Sequence, residues 1–147
     1  MVWKPNVTVA AVVEREGRFL CVEEETESGL MINQPAGHLE DGESLVDAVV
    51  REVLEETAWH FDPTGLVGVY RWRHPDKHIT YIRFAFTGEL RRLEEHRPLD
   101  DGIVRTLWLS REELAQSNDR HRSPQVLRCV EDFKNGTLLP LDCLHDL

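Results

Sequence analysis

The chain is poor in the features that mark several large classes of protein. It has only 3 cysteines, Cys21, Cys129 and Cys143, and no CxxC pair. That argues against a disulfide framework and against a zinc site, and makes a reducing cytoplasm the expected compartment. Positive charge is also scarce: 17 Lys and Arg stand against 27 Asp and Glu, a formal net charge of −10. Sequence-independent binding to a nucleic-acid polymer needs a basic patch and is not expected. No apolar run approaches the roughly 20 residues of a membrane span, and the opening Met1-Val2-Trp3-Lys4-Pro5 lacks a charged leader followed by an apolar stretch. Internal repeats, low-complexity segments and Gly/Ser linkers are absent too. With 147 residues, one domain spanning residues 1–147 with its own core is the expectation.

What is present begins with β-prone sequence. Val7, Val9, Ala11 and Val13 alternate with Thr8, Ala10 and Val12, and Gly17 marks a turn before Phe19-Leu20-Cys21-Val22, which predicts a hairpin. Residues 31–35 read as a short strand entering a loop at Gly37. Strands are predicted at 66–70, at 79–90 and at 104–109. Ser110 with Glu113 forms a capping box for a short helix to about Gln116, and Ser123-Pro124 opens a last helix through about Phe133, ended near Asn135-Gly136. Strands with one helix inserted among them give a mixed α/β or α+β class.

That inserted helix carries the chemistry. Ser44, followed three residues later by Asp47, places its N-cap. At about 100° per residue Val46, Val49, Val50, Val53 and Thr57 form an apolar stripe, and Glu52, Glu55 and Glu56 are expected roughly opposite it. Three glutamates at i, i+3 and i+4 repel one another by roughly 0.2–0.5 kcal/mol per pair. A run of acids in a helix is commonly no more than a solvated face. Here the run belongs to a longer pattern, Gly37, Glu43, Arg51, Glu52, Val53, Glu55 and Glu56, that arises by chance at roughly one start position in ten million. A ligand set for a hard cation such as Mg²⁺ explains it better. The ion would neutralise diphosphate oxygens and acidify a water in line with phosphorus. The carbonyl of Ala36 is a further candidate ligand, and Arg51 is placed to pair with Glu55 or Glu43 and orient the cluster.

The segment resembles the Nudix box, G-x5-E-x7-R-E-U-x-E-E-x-G-U, where U is a bulky aliphatic. Two positions depart from it: Ala58 stands at the family's glycine and Trp59 at its last aliphatic. The glycine site ends the helix, often at positive φ, which costs a non-glycine residue about 1 kcal/mol. The resemblance implies an α/β/α sandwich with a mixed central sheet. It also implies metal-dependent hydrolysis of a phosphoanhydride, with Mg²⁺ or Mn²⁺ held by Glu52, Glu55 and Glu56 and with Glu52 as the first candidate base. Many members add an acidic residue from a later loop, for which Asp101, or its neighbour Asp100, is the positional candidate.

Residues outside the box, including Asn33-Gln34-Pro35-Ala36, Trp72, Arg83-Phe84 and Arg122-Ser123-Pro124, resemble a bacterial phosphatase subgroup of the same family. That likeness implies removal of terminal phosphate from nucleoside tri- and diphosphates and from hydroxymethylpyrimidine diphosphate, a thiamin precursor. Pro75, sixteen positions after Trp59, matches instead the proline of the family's ADP-ribose pyrophosphatases. A non-catalytic nucleotide sensor on the same scaffold is the contrasting reading, and the presence of all three glutamates disfavours it.

For substrate recognition Trp72 is a candidate to stack on a ring, Arg83 to contact phosphate and His38 to touch the substrate beside Gly37. Strand alternation puts Arg71 and Arg73 on the face opposite Trp72. Trp3 and Trp108 read as core aromatics. The expected partner is a small phosphorylated molecule, bound by a monomer or homodimer, with neither nucleic-acid polymer nor membrane involved.

Overall fold

A computed structural model describes residues 1–147. Its eight strands are β1 (Asn6–Ala11), β2 (Glu14–Arg15), β3 (Arg18–Thr26), β4 (Gly29–Asn33), β5 (Ala36–His38), β6 (Trp59–Arg73), β7 (Thr80–Leu93) and β8 (Ile103–Ser110). The helices are α1 (Leu45–Thr57), α2 (Arg111–Gln116) and α3 (Gln125–Asn135). One sheet has the order β5-β1-β7-β6, with β1 and β7 parallel and the other pairs antiparallel. In the second, β3 takes β8 along one edge and β2 and β4 along the other. This is the mixed α+β class that the strand and helix patterns predict.

The alternation of β7 sorts the two layers of core. Phe86, with Val9 and Ala11 of β1, packs against Ala48, Val49 and Val53 of α1. Ala85, of opposite parity, joins Val126, Cys129 and Val130 of α3 and Leu114 of α2. Helices therefore cover both faces. Val49 and Val53 are fully buried, and burial of each contributes roughly 1.5–3 kcal/mol toward holding α1 on the sheet.

Three local expectations need correction. The predicted hairpin exists only at its tip, where Glu14 and Arg15 pair with Phe19 and Arg18. Glu16 and Gly17 both take positive φ, 52° and 78°, the twist that suits a two-residue turn. Before that tip the chain changes sheets: Val12 N–H still donates to Phe86 of the first sheet, while Val13 C=O accepts from Leu20 of the second. Alternation identifies a strand but not its partner. Strand β6 starts at Trp59, well before the predicted 66, because breaks in register beside Pro63 and Gly68 let a long strand absorb residues that read as a turn. Trp3, expected in the core, is 64% exposed, whereas Trp108 packs partly buried beneath Arg15, whose guanidinium sits 5.4 Å from the ring.

The helix boundaries were better marked in the residues. Ser44 Oγ accepts from Asp47 N–H at 3.0 Å, and Ser110 with Glu113 forms the full reciprocal box. Helix α1 ends at Ala58 with φ 65° and ψ 10°, its N–H donating to Leu54. That is the left-handed conformation expected at the position where the chain has alanine in place of glycine.

Candidate active site

Helix α1 does not hold its glutamates away from the core. Glu52 and Glu56 are only 8% and 7% exposed, because at 100° per residue each lies about 60° from Val49 and Val53 respectively rather than opposite them. Together with Ala48 they form a row at i, i+4 and i+8, directed at β5 and the loop that follows it. Glu55 stands further round and is half-buried. For Glu52 and Glu56 the predicted opposition to the stripe is thus replaced by adjacency, whereas Glu55, about 200° from Val53, does stand opposite it.

Each box residue then has a visible task. The Ala36 N–H donates to Glu56 Oε1 at 2.9 Å. The Glu52 carboxylate lies against Gly37 so closely that a Cβ there would fall 2.1 Å from its Oε1. Only glycine leaves that space. Glu43 grips Arg51 in a two-pronged bond, Nε to Oε2 at 3.0 Å and Nη2 to Oε1 at 2.7 Å. The same guanidinium donates from Nη2 to the His38 carbonyl at 3.0 Å, and from Nη1 to Glu52 Oε1 at 2.8 Å and Glu55 Oε2 at 3.4 Å. Arg51 pairs with both of the partners considered for it and ties the loop to the helix.

The electrostatics of the two buried glutamates differ. Burial, and then repulsion from Glu24, Glu52 and Asp100, pushes Glu56 up to about 9 against the help of the Ala36 N–H. Burial also raises Glu52, while Arg51 opposes the rise. Glu43 is held below the usual carboxylate range by Arg51. Glu56 has no basic partner among the ion pairs that involve this cluster. A cation among these oxygens would offset the burial penalty, and an all-oxygen donor set of carboxylates is what a hard divalent ion takes. The residues fit such an ion in kind, although no three acidic or histidine side chains already converge to enclose one. Arg51 draws Glu52 and Glu55 toward itself.

The carboxylates open into a cavity of about 610 Å³ whose wall includes Ala36, His38, Trp72 and Arg83 together with Glu52, Glu55 and Glu56. The later-loop acid at that wall is Asp100, not Asp101. Asp100 N–H donates to the Glu55 carbonyl at 2.9 Å, which anchors its loop to α1, and the next residue along faces an adjoining shallow hollow. Trp72 is half-buried and stacks on Tyr81, with ring centroids 5.8 Å apart and planes 19° apart. Arg71 and Arg73 are exposed and do not line the cavity, as alternation requires. Arg83 is no free arm: it is 4% exposed and donates to Gln34 Oε1 at 2.9 Å and Asn33 Oδ1 at 3.0 Å. Pro75 lies exposed in the turn joining β6 to β7. Sequence reasoning missed Glu24, Tyr81 and Gln125 on the wall. Tyr81 was legible as the cross-strand partner of Trp72 once the β6–β7 register was known, whereas Glu24 and Gln125 carry no local signal.

Comparisons with known proteins bear on the chain as a whole. The model of the NUDIX domain matches residues 3–129. Phosphatase NudJ of Escherichia coli strain K12 is 40% identical over 144 residues, covering 98% of this chain and 93% of that protein. Among solved structures, a NUDIX hydrolase from Nitrosomonas europaea superposes with a TM-score of 0.95 at 46% identity, covering 98% of each chain. A MutT NUDIX hydrolase from Burkholderia pseudomallei, at 18% identity, shares the fold with a TM-score of 0.75 over 88% of this chain and 98% of its own.

Proposed function

Since this chain belongs to the Nudix hydrolase family, we propose that it removes phosphate from nucleoside tri- and diphosphates or from hydroxymethylpyrimidine diphosphate, acting as one catalytic domain. Likeness to a phosphatase over 98% of the chain supports phosphate release rather than ADP-ribose cleavage, and Pro75 in an exposed turn adds nothing specific to the latter. The observation that carries the catalytic reading is the pair of buried glutamates, Glu52 seated on Gly37 and Glu56 on the Ala36 N–H. Burying two neighbouring carboxylates without a basic partner for one of them is unfavourable unless a ligand compensates.

In this reading Glu52, Glu55 and Glu56 hold the divalent ion, with Asp100 in place of Asp101 as the additional acid and the Ala36 carbonyl as a further ligand. Bound Mg²⁺ or Mn²⁺ would supply neutralisation of the diphosphate oxygens and acidification of a water molecule. Glu52 accepts the proton of the attacking water. Arg51, fixed by Glu43, positions Glu52 and Glu55 rather than reacting. Trp72 packs against the organic part of the substrate, and His38 lies beside the phosphates at the rim. The free energy of catalysis comes from positioning and charge stabilisation, as phosphoryl transfer requires.

The test is a panel of nucleoside triphosphates, nucleoside diphosphates, ADP-ribose and hydroxymethylpyrimidine diphosphate, each with Mg²⁺ or Mn²⁺, with inorganic phosphate and nucleotide products measured separately. Phosphate release with ADP-ribose untouched supports the reading. AMP release from ADP-ribose as the main activity would replace it.

A further inference from the structure

A di- or triphosphate brings several negative charges into a cavity where acids already outnumber cations, which calls for a cation on the protein besides the metal ion. Four cationic side chains reach the wall: Arg51, Lys77, Arg83 and Arg122. Arg51 is fully engaged by Glu43, Glu52, Glu55 and the His38 carbonyl. Arg83 is buried and donates to Gln34 and Asn33. Lys77 stands beyond Trp72, in the turn between β6 and β7, where it faces Glu27 across the mouth at 3.9 Å. Arg122 differs from all three. Its side chain is 44% exposed and makes one hydrogen bond, from Nη1 to Glu24 Oε2 at 3.2 Å. An ion pair so open to water is weak, so a phosphate oxygen replaces the carboxylate at little cost, and Nε and Nη2 remain to complete a fork onto it.

The partner aims this guanidinium at the acidic end of the cavity. Along β3, Leu20, Val22 and Glu24 share one face, and Leu20 packs with Val49 and Val53 of α1. Glu24 therefore looks toward the helix that carries the glutamates, and it is foremost among the charges that repel the Glu56 carboxylate. Glu23, of opposite parity, points away and is held by Arg105 and Arg120. The backbone of Arg122 is anchored separately: its N–H donates to the Ile32 carbonyl at 2.9 Å, beside the bridge from His121 to Ile32. Its side chain is thus free to change partner while the segment that carries it stays on β4.

We propose that Arg122 is the phosphate contact of this cavity, held at rest by Glu24 and passed from that carboxylate to the substrate phosphates on binding. This is the role expected of Arg83 from its charge, which the burial of Arg83 denies it. Glu24 is the resting counterion: it keeps the guanidinium directed at α1, and an anion must compete with it. The inference rests on the phosphates lying at the α1 glutamates, as set out above.

Calorimetric binding of inorganic pyrophosphate in Ca²⁺ tests it with the whole protein, using Arg122→Gln, Glu24→Gln and Lys77→Gln, each paired with a thermal melt. Arg122→Gln is expected to weaken pyrophosphate about tenfold or more. Glu24→Gln, which frees the guanidinium, is expected to tighten it about twofold to fivefold. Lys77→Gln makes the same change of charge on the same wall and is expected to stay within about twofold of wild type. Both members of a merely structural pair would shift binding in the same direction, so weakened or unchanged binding in Glu24→Gln overturns the proposal. So does wild-type affinity in Arg122→Gln, or a loss in Lys77→Gln equal to that in Arg122→Gln, which would mark a general field and not a contact. If Arg122→Gln does not fold, the sign shown by Glu24→Gln decides. Pyrophosphate that does not bind wild type overturns this proposal together with the reading beneath it. The expected pattern without phosphate release in Mg²⁺ contradicts the hydrolase reading and not the phosphate contact.

Discussion

Replacing Gly37 with alanine separates the stability of this protein from its activity. The added Cβ would meet Glu52 Cδ and Oε1 at 2.1 Å and Oε2 at 2.4 Å. Restoring ordinary contact at 3.4 Å requires the carboxylate to retreat by about 1.3 Å. The obstacle is the far end of a flexible side chain, and Gly37 is not among the residues at positive φ, so the backbone accepts alanine. The folded state loses an off-rotamer adjustment of roughly 0.5–1.5 kcal/mol and part of the Arg51–Glu52 hydrogen bond, worth about 1.5–3 kcal/mol when charged. The expected total is about 2–4 kcal/mol, which lowers the melting temperature by several degrees without preventing folding. Catalysis is more sensitive, since a displacement near 1 Å of a positioned group costs about a hundredfold in rate. Phosphate release under saturating substrate, alongside a thermal melt, reads both quantities. A Gly37→Ala protein that melts a few degrees lower and keeps wild-type turnover would refute the placement of Glu52 in the reaction.

Other perturbations follow from the same geometry. Ala58→Gly relieves left-handed strain of about 1–2 kcal/mol but gives up roughly 0.4–1 kcal/mol to unfolded-chain entropy and about 0.8 kcal/mol of methyl burial. Its denaturation midpoint is therefore expected to stay within about 1 kcal/mol of wild type, while Ala58→Val, β-branched at φ 65°, loses 2 kcal/mol or more. Arg51→Lys cannot reproduce the fork onto Glu43 and is expected to lose about 1–3 kcal/mol in urea unfolding together with at least tenfold in turnover. A fold that keeps Glu56 protonated up to about 9 binds more protons than the unfolded chain between the ordinary carboxylate range and that value. Without metal, stability therefore falls as pH rises through this window. A divalent ion favours the ionised form, so stabilisation by Mg²⁺ over EDTA in a thermal melt should be larger at pH 8.5 than at pH 6, and an equal gain at both would contradict the account.

Much of the site was legible because local rules agree there. Ser44 marks the start of α1, Ala58 stands where a left-handed residue is needed, and Glu43, eight residues before Arg51, has one sensible partner. What escaped the sequence was whatever depends on the meeting of distant segments. The expected opposition of glutamates and valines overlooked that the 100° step itself sets Glu52 and Glu56 only about 60° from Val49 and Val53, and it could not foresee that β5 offers these two an N–H and an empty glycine. Asp100 and Asp101 are indistinguishable as letters, and only the bond from Asp100 N–H to the Glu55 carbonyl decides which faces α1. Arg83 read as a phosphate contact because strand alternation says which face a side chain takes but not what covers that face. Asn33, Gln34 and α3 cover it, from about 50 residues upstream and 46 downstream.

On the proposed function the buried carboxylates of α1 perform hydrolysis and do not merely support the fold. Glu52→Gln keeps the shape of the side chain and one acceptor oxygen for Arg51, while exchanging the other oxygen for a donating NH2 and removing the charge and basicity. With Mg²⁺ and the best substrate of the panel, turnover is expected to fall by a factor of a hundred or more, in a protein whose circular dichroism matches wild type and whose melting temperature stays within several degrees of it. Wild-type turnover in that variant contradicts the proposed function.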